Sequence, residues 1–214
     1  MNVFVVGANG QIGRHLVRLL AESDQHTPIA MVRQQDQASA WKESGVESRV
    51  VDLHDPVNVI ADAANGCDAI VFTAGSGGHT GAEQTLLIDL DGAVKTMEAA
   101  QSSGIDRFLL VSAIQAHVRD NWHEAIRPYF AAKHYADKML EHTNLTYTIL
   151  RPGGLTNDPG TGTIQVADNL PRATIPREDV ALTLFAALTE ERTYRRAFDL
   201  VSGDVPVADA LRSL

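Results

Sequence analysis

The chain has 214 residues, enough to bury one substantial core, and its 44% hydrophobic and 21% charged content is ordinary for a globular domain. Its 27 acidic residues against 18 basic ones leave a formal charge of −9, which repels nucleic acid and anionic lipid and argues against both as partners. The single cysteine, Cys67, excludes an internal disulfide framework, suits a reducing compartment, and reads as a small buried hydrophobe before a strand.

From the N-terminus, residues 2–6 (Asn2-Val3-Phe4-Val5-Val6) predict a buried strand. No basic leader precedes it and the apolar run is too short for a signal peptide or a membrane span, so a cytoplasmic location is expected. The turn Gly7-Ala8-Asn9-Gly10-Gln11-Ile12-Gly13 follows, then a helix over 11–22 with Ile12, Leu16, Leu19 and Leu20 facing inward. Further strands are expected at 28–33, 48–53, 68–73, 106–112, 146–151 and 197–201. Helices are expected at 36–44, 56–64, 82–102, 128–142, 177–189 and 206–213. Runs rich in Val and Ile that alternate with segments of helical period predict an α/β fold: a doubly wound, mainly parallel, seven-stranded sheet with helices on both faces. No repeat or linker divides the chain, so residues 1–214 are expected to form a single domain. The irregular stretches 74–81, 113–127 and 152–176 each follow a strand and therefore fall at the carboxyl edge, where open α/β sheets bind ligands.

The pattern Gly7-x-x-Gly10-x-x-Gly13 between a buried strand and an amphipathic helix points to a dinucleotide phosphate site. Glycines permit a tight turn and close backbone approach, while the free amides at the start of the helix and its dipole favour a pyrophosphate. Asn9, Gln11 and Ile12 complete this turn. Preference for NAD usually goes with an acidic residue at the end of the second strand, where it bonds the ribose hydroxyls. Here that place holds Arg33. A guanidinium can form paired bonds to a 2′-phosphate, and Arg14, directly after Gly13, can approach the same group. NADP(H) is the expected cofactor, with NAD(H) the alternative.

At the other end of the expected site, Phe108-Leu109-Leu110-Val111-Ser112 reads as a strand ending in a hydroxyl, and Tyr129 and Lys133 follow Pro128 at the start of a helix. Proline suits the first helical turn, and the four-residue spacing puts Tyr129 and Lys133 on one face. A phenol with a pKa near ~10 needs a nearby ammonium to lower it before it exchanges protons readily at neutral pH. Lys133 is placed to supply that charge and to bond the nicotinamide ribose, while Ser112 orients a substrate carbonyl beside Tyr129.

The segments GANGQIG at 7–13, VSA at 111–113, YFAAKHYAD at 129–137 and YTILRPGGLT at 147–156 resemble the atypical short-chain dehydrogenase/reductase branch. Within it they look like the small NAD(P)-binding proteins described as epimerase/dehydratase-like, biliverdin-IXβ/flavin reductase-like or nitrogen-metabolite-regulator-like. That resemblance covers nearly the whole chain and implies a Rossmann domain without a large separate substrate domain. It also implies that Asp52 and Leu53 lie at the adenine, that Ala74 and Gly75 pass over the cofactor ribose, and that Pro152 and Gly153 approach the nicotinamide. One departure is Asp89, where many relatives have asparagine.

The eight histidines show no metal-ligand spacing, so no metal is expected. His117, Arg119, Trp122 and His123 form a candidate cover over the substrate. Glu178 and Asp179 need no role beyond favouring a helix start. The expected function is NADPH-preferring hydride transfer to a small carbonyl, quinone, flavin or tetrapyrrole-like acceptor. Two alternatives are a non-catalytic redox sensor that binds the dinucleotide, and a nucleotide-sugar epimerase or dehydratase. A chain ending at 214 disfavours the last, because it leaves little C-terminal sequence to build a sugar-nucleotide pocket. A small-molecule substrate is expected, and the oligomeric state is left open.

Overall fold

The computed structural model describes residues 1–78 and 80–214, so His79 of the stretch 74–81 lies outside the described residues. The first half of the chain runs β1 (Asn2–Val6), α1 (Gln11–Ala21), β2 (Thr27–Val32), α2 (Gln35–Glu43), β3 (Glu47–Val50), α3 (Val57–Ala64) and β4 (Ala69–Phe72). A helical stretch then begins as α4 (Ala82–Gln84), widens into a π-helical segment (Thr85–Gly92) and continues as α5 (Ala93–Ser102). The second half runs β5 (Arg107–Val111), α6 (Arg127–Glu141), β6 (Thr146–Pro152), β7 (Gly154–Thr156), β8 (Thr163–Ala167), β9 (Thr174–Pro176), α7 (Arg177–Ala187), β10 (Arg196–Ser202), β11 (Val205–Pro206) and α8 (Val207–Arg212).

Among the described residues the main sheet has nine strands in the order β11-β8-β10-β6-β5-β4-β1-β2-β3, and β7 pairs with β9 in a separate ribbon. The seven strands expected from the sequence are its parallel part, from β3 across to β10. The expected count of seven is corrected to nine because β8 and β11 extend the β10 edge in antiparallel register. Both come from chain that reads as loop. In β8 only Ile164 is fully buried, so the strand carries almost no apolar signal.

Alternation along the parallel strands explains the two cores. Val3, Val5, Ala30, Val32, Val71, Leu109 and Leu150 face α1, α2, α7 and α8. Phe4, Val6, Ile29, Ile70, Phe72, Phe108 and Ile149 face α3, α5 and α6. With both faces covered, every strand position can be apolar. The strand order reverses between β1 and β4, which opens a crevice at their carboxyl ends.

Candidate functional site

That crevice is a cleft of about 850 Å³ that runs from the end of β2, past the β1–α1 turn, to the start of α6. At the turn the Gly10 amide donates to the Gly7 carbonyl at 2.9 Å, and the first helical bond of α1 runs from the Arg14 amide to the Gly10 carbonyl, also at 2.9 Å. No side chain caps this helix start, so the amides that lack intrahelical acceptors are left for a ligand anion or solvent. Gly7 has φ +83, and a Cβ there would lie 2.7 Å from the Ala74 backbone, which crosses over it. A Cβ on Gly13 would meet the Gly7 carbonyl oxygen at 2.2 Å, so Gly13 is required by the turn itself. At Gly10 a Cβ would meet only that same oxygen, at 3.1 Å, and would otherwise project into open space. The turn therefore fits a dinucleotide pyrophosphate, with Gly10 on the ligand side and Gly13 on the packing side.

Of the residues expected at the cofactor, Gly7, Asn9, Gly10, Gln11, Ile12, Arg33, Leu53, Ala74, Gly75 and Lys133 line the cleft. Arg14 is exposed beside it, and its Nη2 donates to the Asn9 Oδ1 at 3.2 Å, which braces the turn. Asp52 is not among the lining residues, although its neighbours Val51 and Leu53 are. It accepts from the His54 backbone at 2.9 Å and pairs with the His54 ring at 2.6 Å. Burial pushes the Asp52 carboxyl up, but these His54 interactions and the Arg33 charge outweigh it and hold the group below its ordinary value. Pro152 and Gly153 also lie off the cleft wall. Their backbones are engaged within the sheet: the Pro152 carbonyl accepts from Ile114 and the Gly153 amide donates to Leu200, each at 2.9 Å. Leu155, two residues on, takes their place on the wall.

Ser112, Tyr129 and Lys133 are brought together at the far end of the cleft. Ser112 is buried one residue past β5; its Oγ makes no well-formed hydrogen bond among the described residues but lies against the Asp137 carboxyl, which it helps to hold down. A hydroxyl on a cleft wall with only this loose partner can turn to a ligand oxygen. Lys133 is buried on α6; its Nζ donates to the Val111 carbonyl at 3.1 Å and pairs with the Asp89 Oδ1 at 3.1 Å. Burial alone pulls the Lys133 ammonium down, but Asp89, helped by Tyr129 and Asp137, holds it above the ordinary lysine value. The Nζ lies 5.7 Å from the centre of the Tyr129 ring. The downward pull of Lys133 on the Tyr129 hydroxyl, expected from the sequence, is present but outweighed. Burial pushes that hydroxyl up, Lys133 pulls it down, and Asp89 and Asp137 push it up again, so the balance is upward.

Behind Ser112 a second buried pair joins Asp137 of α6 to Arg151 of β6, Oδ2 to Nε, at 2.8 Å. The candidate cover does not form. Trp122 donates from its indole nitrogen to the Ala116 carbonyl at 3.0 Å and stacks on Phe130, while Arg119 donates to the Tyr135 hydroxyl at 3.0 Å. His117 turns towards the buried Asp199, 3.9 Å away. Ala125 and Ile126 of the same loop face the cleft instead.

Several lining residues carry no sequence signal of their own. Thr73 ties the end of β4 to β1, with its Oγ1 donating to the Val6 carbonyl at 2.9 Å. Arg177 also lines the cleft, and its Nη1 donates to the Asn157 Oδ1 at 2.8 Å. A cation in the first turn of a helix opposes the dipole, and that was the available clue. Glu178 and Asp179 face away and hold the loop before β8 through the amides of Gly160, Thr161 and Gly162. Among the described residues, no group of His, Cys, Asp and Glu is placed to hold a metal, and no helix is long and apolar enough to cross a membrane.

The sequence pattern of the NAD(P)H-binding family matches residues 7–191. The chain is 56% identical to the uncharacterized sugar epimerase YhfK of Bacillus subtilis over 214 residues, covering 100% of both chains. The crystal structure of the oxidoreductase ylbE from Lactococcus lactis superposes with a TM-score of 0.92 at 32% identity, covering 100% of this chain and 96% of that one. ChuY, an anaerobillin reductase from Escherichia coli O157:H7, superposes with a TM-score of 0.83 at 25% identity, covering 96% and 98%.

Proposed function

Since the chain belongs to the NAD(P)H-binding family, in the atypical short-chain dehydrogenase/reductase branch, we propose that it is an oxidoreductase that uses NADPH in preference to NADH. Its acceptor is a small carbonyl, quinone, flavin or tetrapyrrole-like compound. The observation that carries this reading is the continuity of one cleft from the uncapped α1 turn to Ser112, Tyr129 and Lys133. The α1 amides and Gly10 hold the pyrophosphate, and Arg33, exposed at the end of β2, meets a 2′-phosphate. Lys133 keeps part of its donor capacity free for the ribose, because an ammonium has three N–H groups and two partners already accept from it.

When bound, the reduced dinucleotide supplies a hydride to the acceptor carbon and is itself oxidised. The residues do the rest. The Ser112 hydroxyl, held only loosely by Asp137, turns to donate to the carbonyl oxygen and fixes its orientation. The Tyr129 hydroxyl gives that oxygen its proton, leaving a phenolate that solvent reprotonates. An upward-shifted phenol is fully protonated at neutral pH and still far more acidic than an alcohol, so it serves as a donor.

A titration of the protein's tryptophan fluorescence with NADPH and with NADH, followed by a screen of quinones, flavins and aldehydes, tests the reading. Saturable NADPH binding with turnover of at least one acceptor is expected. Binding without turnover would favour the redox-sensor reading. The name of the Bacillus subtilis relative favours a second enzyme reading, epimerisation of a sugar, so nucleotide sugars belong in the same screen.

A further inference from the structure

We propose that Asp89 is a positioning residue that cancels the field of Lys133 at Tyr129, so that the site holds Tyr129 as a neutral phenol and is built to give a proton rather than take one. The direction of proton flow rests on the oxidoreductase reading; the charge cancellation does not.

The geometry that supports this is specific to an aspartate. Asp89 lies in the π-helical segment packed against α6 and is 1% exposed. Both of its oxygens are engaged: Oδ1 with the Lys133 ammonium at 3.1 Å, and Oδ2 with the Ser76 amide at 3.0 Å. Gly75 permits this arrangement, since a Cβ there would lie 3.1 Å from the Asp89 Oδ1. An asparagine in the same place would offer Lys133 only the dipole of its amide and would leave a full positive charge beside the phenol.

The charged groups that face Tyr129 are Lys133 and Asp137 from its own helix and Asp89 from the π-helical segment. Asp137 is itself matched by Arg151 of β6 at 2.8 Å. The four charges form two buried pairs with no net charge. An uncompensated ammonium at close range lowers a neighbouring acid by about 1–3 pH units, so the aspartate, added to the larger effect of burial, keeps the phenol protonated well into the alkaline range. A phenol can protonate the oxygen of a carbonyl that is being reduced. The reverse reaction needs a phenolate to take the proton of an alcohol, and that species is withheld until alkaline pH.

The test is an absorbance titration of tyrosinate in the protein without added cofactor, with Tyr129→Phe used to isolate the Tyr129 component from the other tyrosines. In the wild type, Tyr129 is expected to titrate above the ordinary value of about 10. Asp89→Asn is expected to bring it down by about 1–3 pH units, and Lys133→Met to raise it further. An unmoved midpoint in folded Asp89→Asn would overturn the proposal. A wild-type midpoint below the ordinary value would also overturn it, as would a downward or absent shift in Lys133→Met. Should Asp89→Asn fail to fold, the double variant Asp89→Asn, Lys133→Met removes both charges and should return the midpoint near the wild-type value, whereas a midpoint as high as that of Lys133→Met alone would overturn the proposal. With a turned-over carbonyl and its alcohol in hand, Asp89→Asn should move the pH profile of alcohol oxidation to lower pH by the same interval, and an unmoved profile counts against the proposal. If no acceptor is reduced at all, the oxidoreductase reading falls, while the titration still decides whether Asp89 cancels Lys133.

Discussion

The two ends of the cleft are built from different materials. At the β1–α1 turn the binding surface is backbone: uncapped amides of α1, the Gly7 carbonyl, and the Ala74 strand-end crossing Gly7. At the start of α6 it is side chain: a hydroxyl, a phenol and one buried ion pair, with a second buried pair behind them. A backbone surface depends on a few adjacent residues having no Cβ in the way, so it tolerates change elsewhere and recognises a generic group such as phosphate. A buried charge network depends on every member at once, since removing one partner leaves the other uncompensated in a low dielectric. The first end can be shared by many proteins, and the second makes this chain's chemistry its own.

The largest effect is expected from a change that touches only the side-chain end. Tyr129→Phe removes one hydroxyl, leaves the α1 turn intact, and should lower turnover of a carbonyl acceptor by roughly 10²–10⁴ with NADPH affinity nearly unchanged. Steady-state kinetics and a binding titration on the same preparation separate the two quantities. Full activity in Tyr129→Phe would move proton donation to solvent, as suits a flavin-type acceptor.

The backbone end is broken in two distinguishable ways. Gly10→Val adds a side chain whose Cβ meets the protein only at the Gly7 oxygen, 3.1 Å away, so the fold should persist. Dinucleotide affinity should fall by about a hundredfold, the worth of two charge-assisted hydrogen bonds at ~1.5 kcal/mol each. Gly13→Val drives its Cβ to 2.2 Å from the same oxygen and should lower the thermal midpoint as well. Equal loss of stability in the two variants would mean that Gly10 belongs to the packing and not to the ligand.

This contrast also explains what could be read from the sequence. The turn is local: its three glycines, the strand before it and the helix after it lie within about twenty residues, and GxxGxxG carries their geometry directly. Arg33 was legible for the same reason, because a strand end fixes its place. Ser112, Tyr129 and Lys133 were found by spacing and by resemblance, and they do share the cleft. Of the partners that set their charge, only Asp89 stands out in the sequence, as a departure from the resembling family, and nothing there shows what it pairs with. Asp89 and Lys133 are far apart in sequence and meet only when the π-helical segment packs on α6; Asp137 and Arg151 meet only across a helix–sheet contact. Strand β8 was missed because one buried Ile164 in five residues makes no period, and its pairing comes from β10. Pro152 and Gly153 are expected near the nicotinamide from the family resemblance alone; in the fold their backbones bond within the sheet, and Leu155 in the middle of β7 is the residue of this stretch on the cleft wall.

A smaller effect sharpens the backbone end. Arg33 lines the cleft and is exposed, and the nearby Asp52 is occupied by His54, so the guanidinium is available to a 2′-phosphate. Arg33→Ala should reduce NADPH affinity by about ten- to a hundredfold, the worth of one charge-assisted interaction of roughly 1.5–3 kcal/mol, and leave NADH affinity within about twofold. The difference should shrink as salt is raised, because the site is open to solvent. Equal affinities for NADPH and NADH in the unmutated protein would remove the 2′-phosphate assignment.

The smallest effect is one of pH on stability, and it reports on the rear of the side-chain end. His117 and His134 lie there, and burial is the largest influence holding each below the ordinary histidine value. His26, packed edge-on to Phe185 at 5.4 Å, is lowered in the same way at the opposite edge of the sheet. A base whose folded value is depressed contributes stability above its unfolded value, near ~6.5, and loses it as pH falls through the lower folded value. Two buried carboxyls beside this region work in the opposite sense. Burial pushes Asp137 and Asp199 up, so the folded state takes protons before the unfolded chain does and gains stability as pH falls through those raised values. The fall in thermal midpoint between about pH 6.5 and 4 is therefore expected to be shallow. His117→Gln with His134→Gln removes two of the three losses and leaves both gains, so the double variant should hold or raise its midpoint over that interval. A fall as steep as that of the wild type would place the acid sensitivity outside the reactive end, with His26 the remaining depressed histidine.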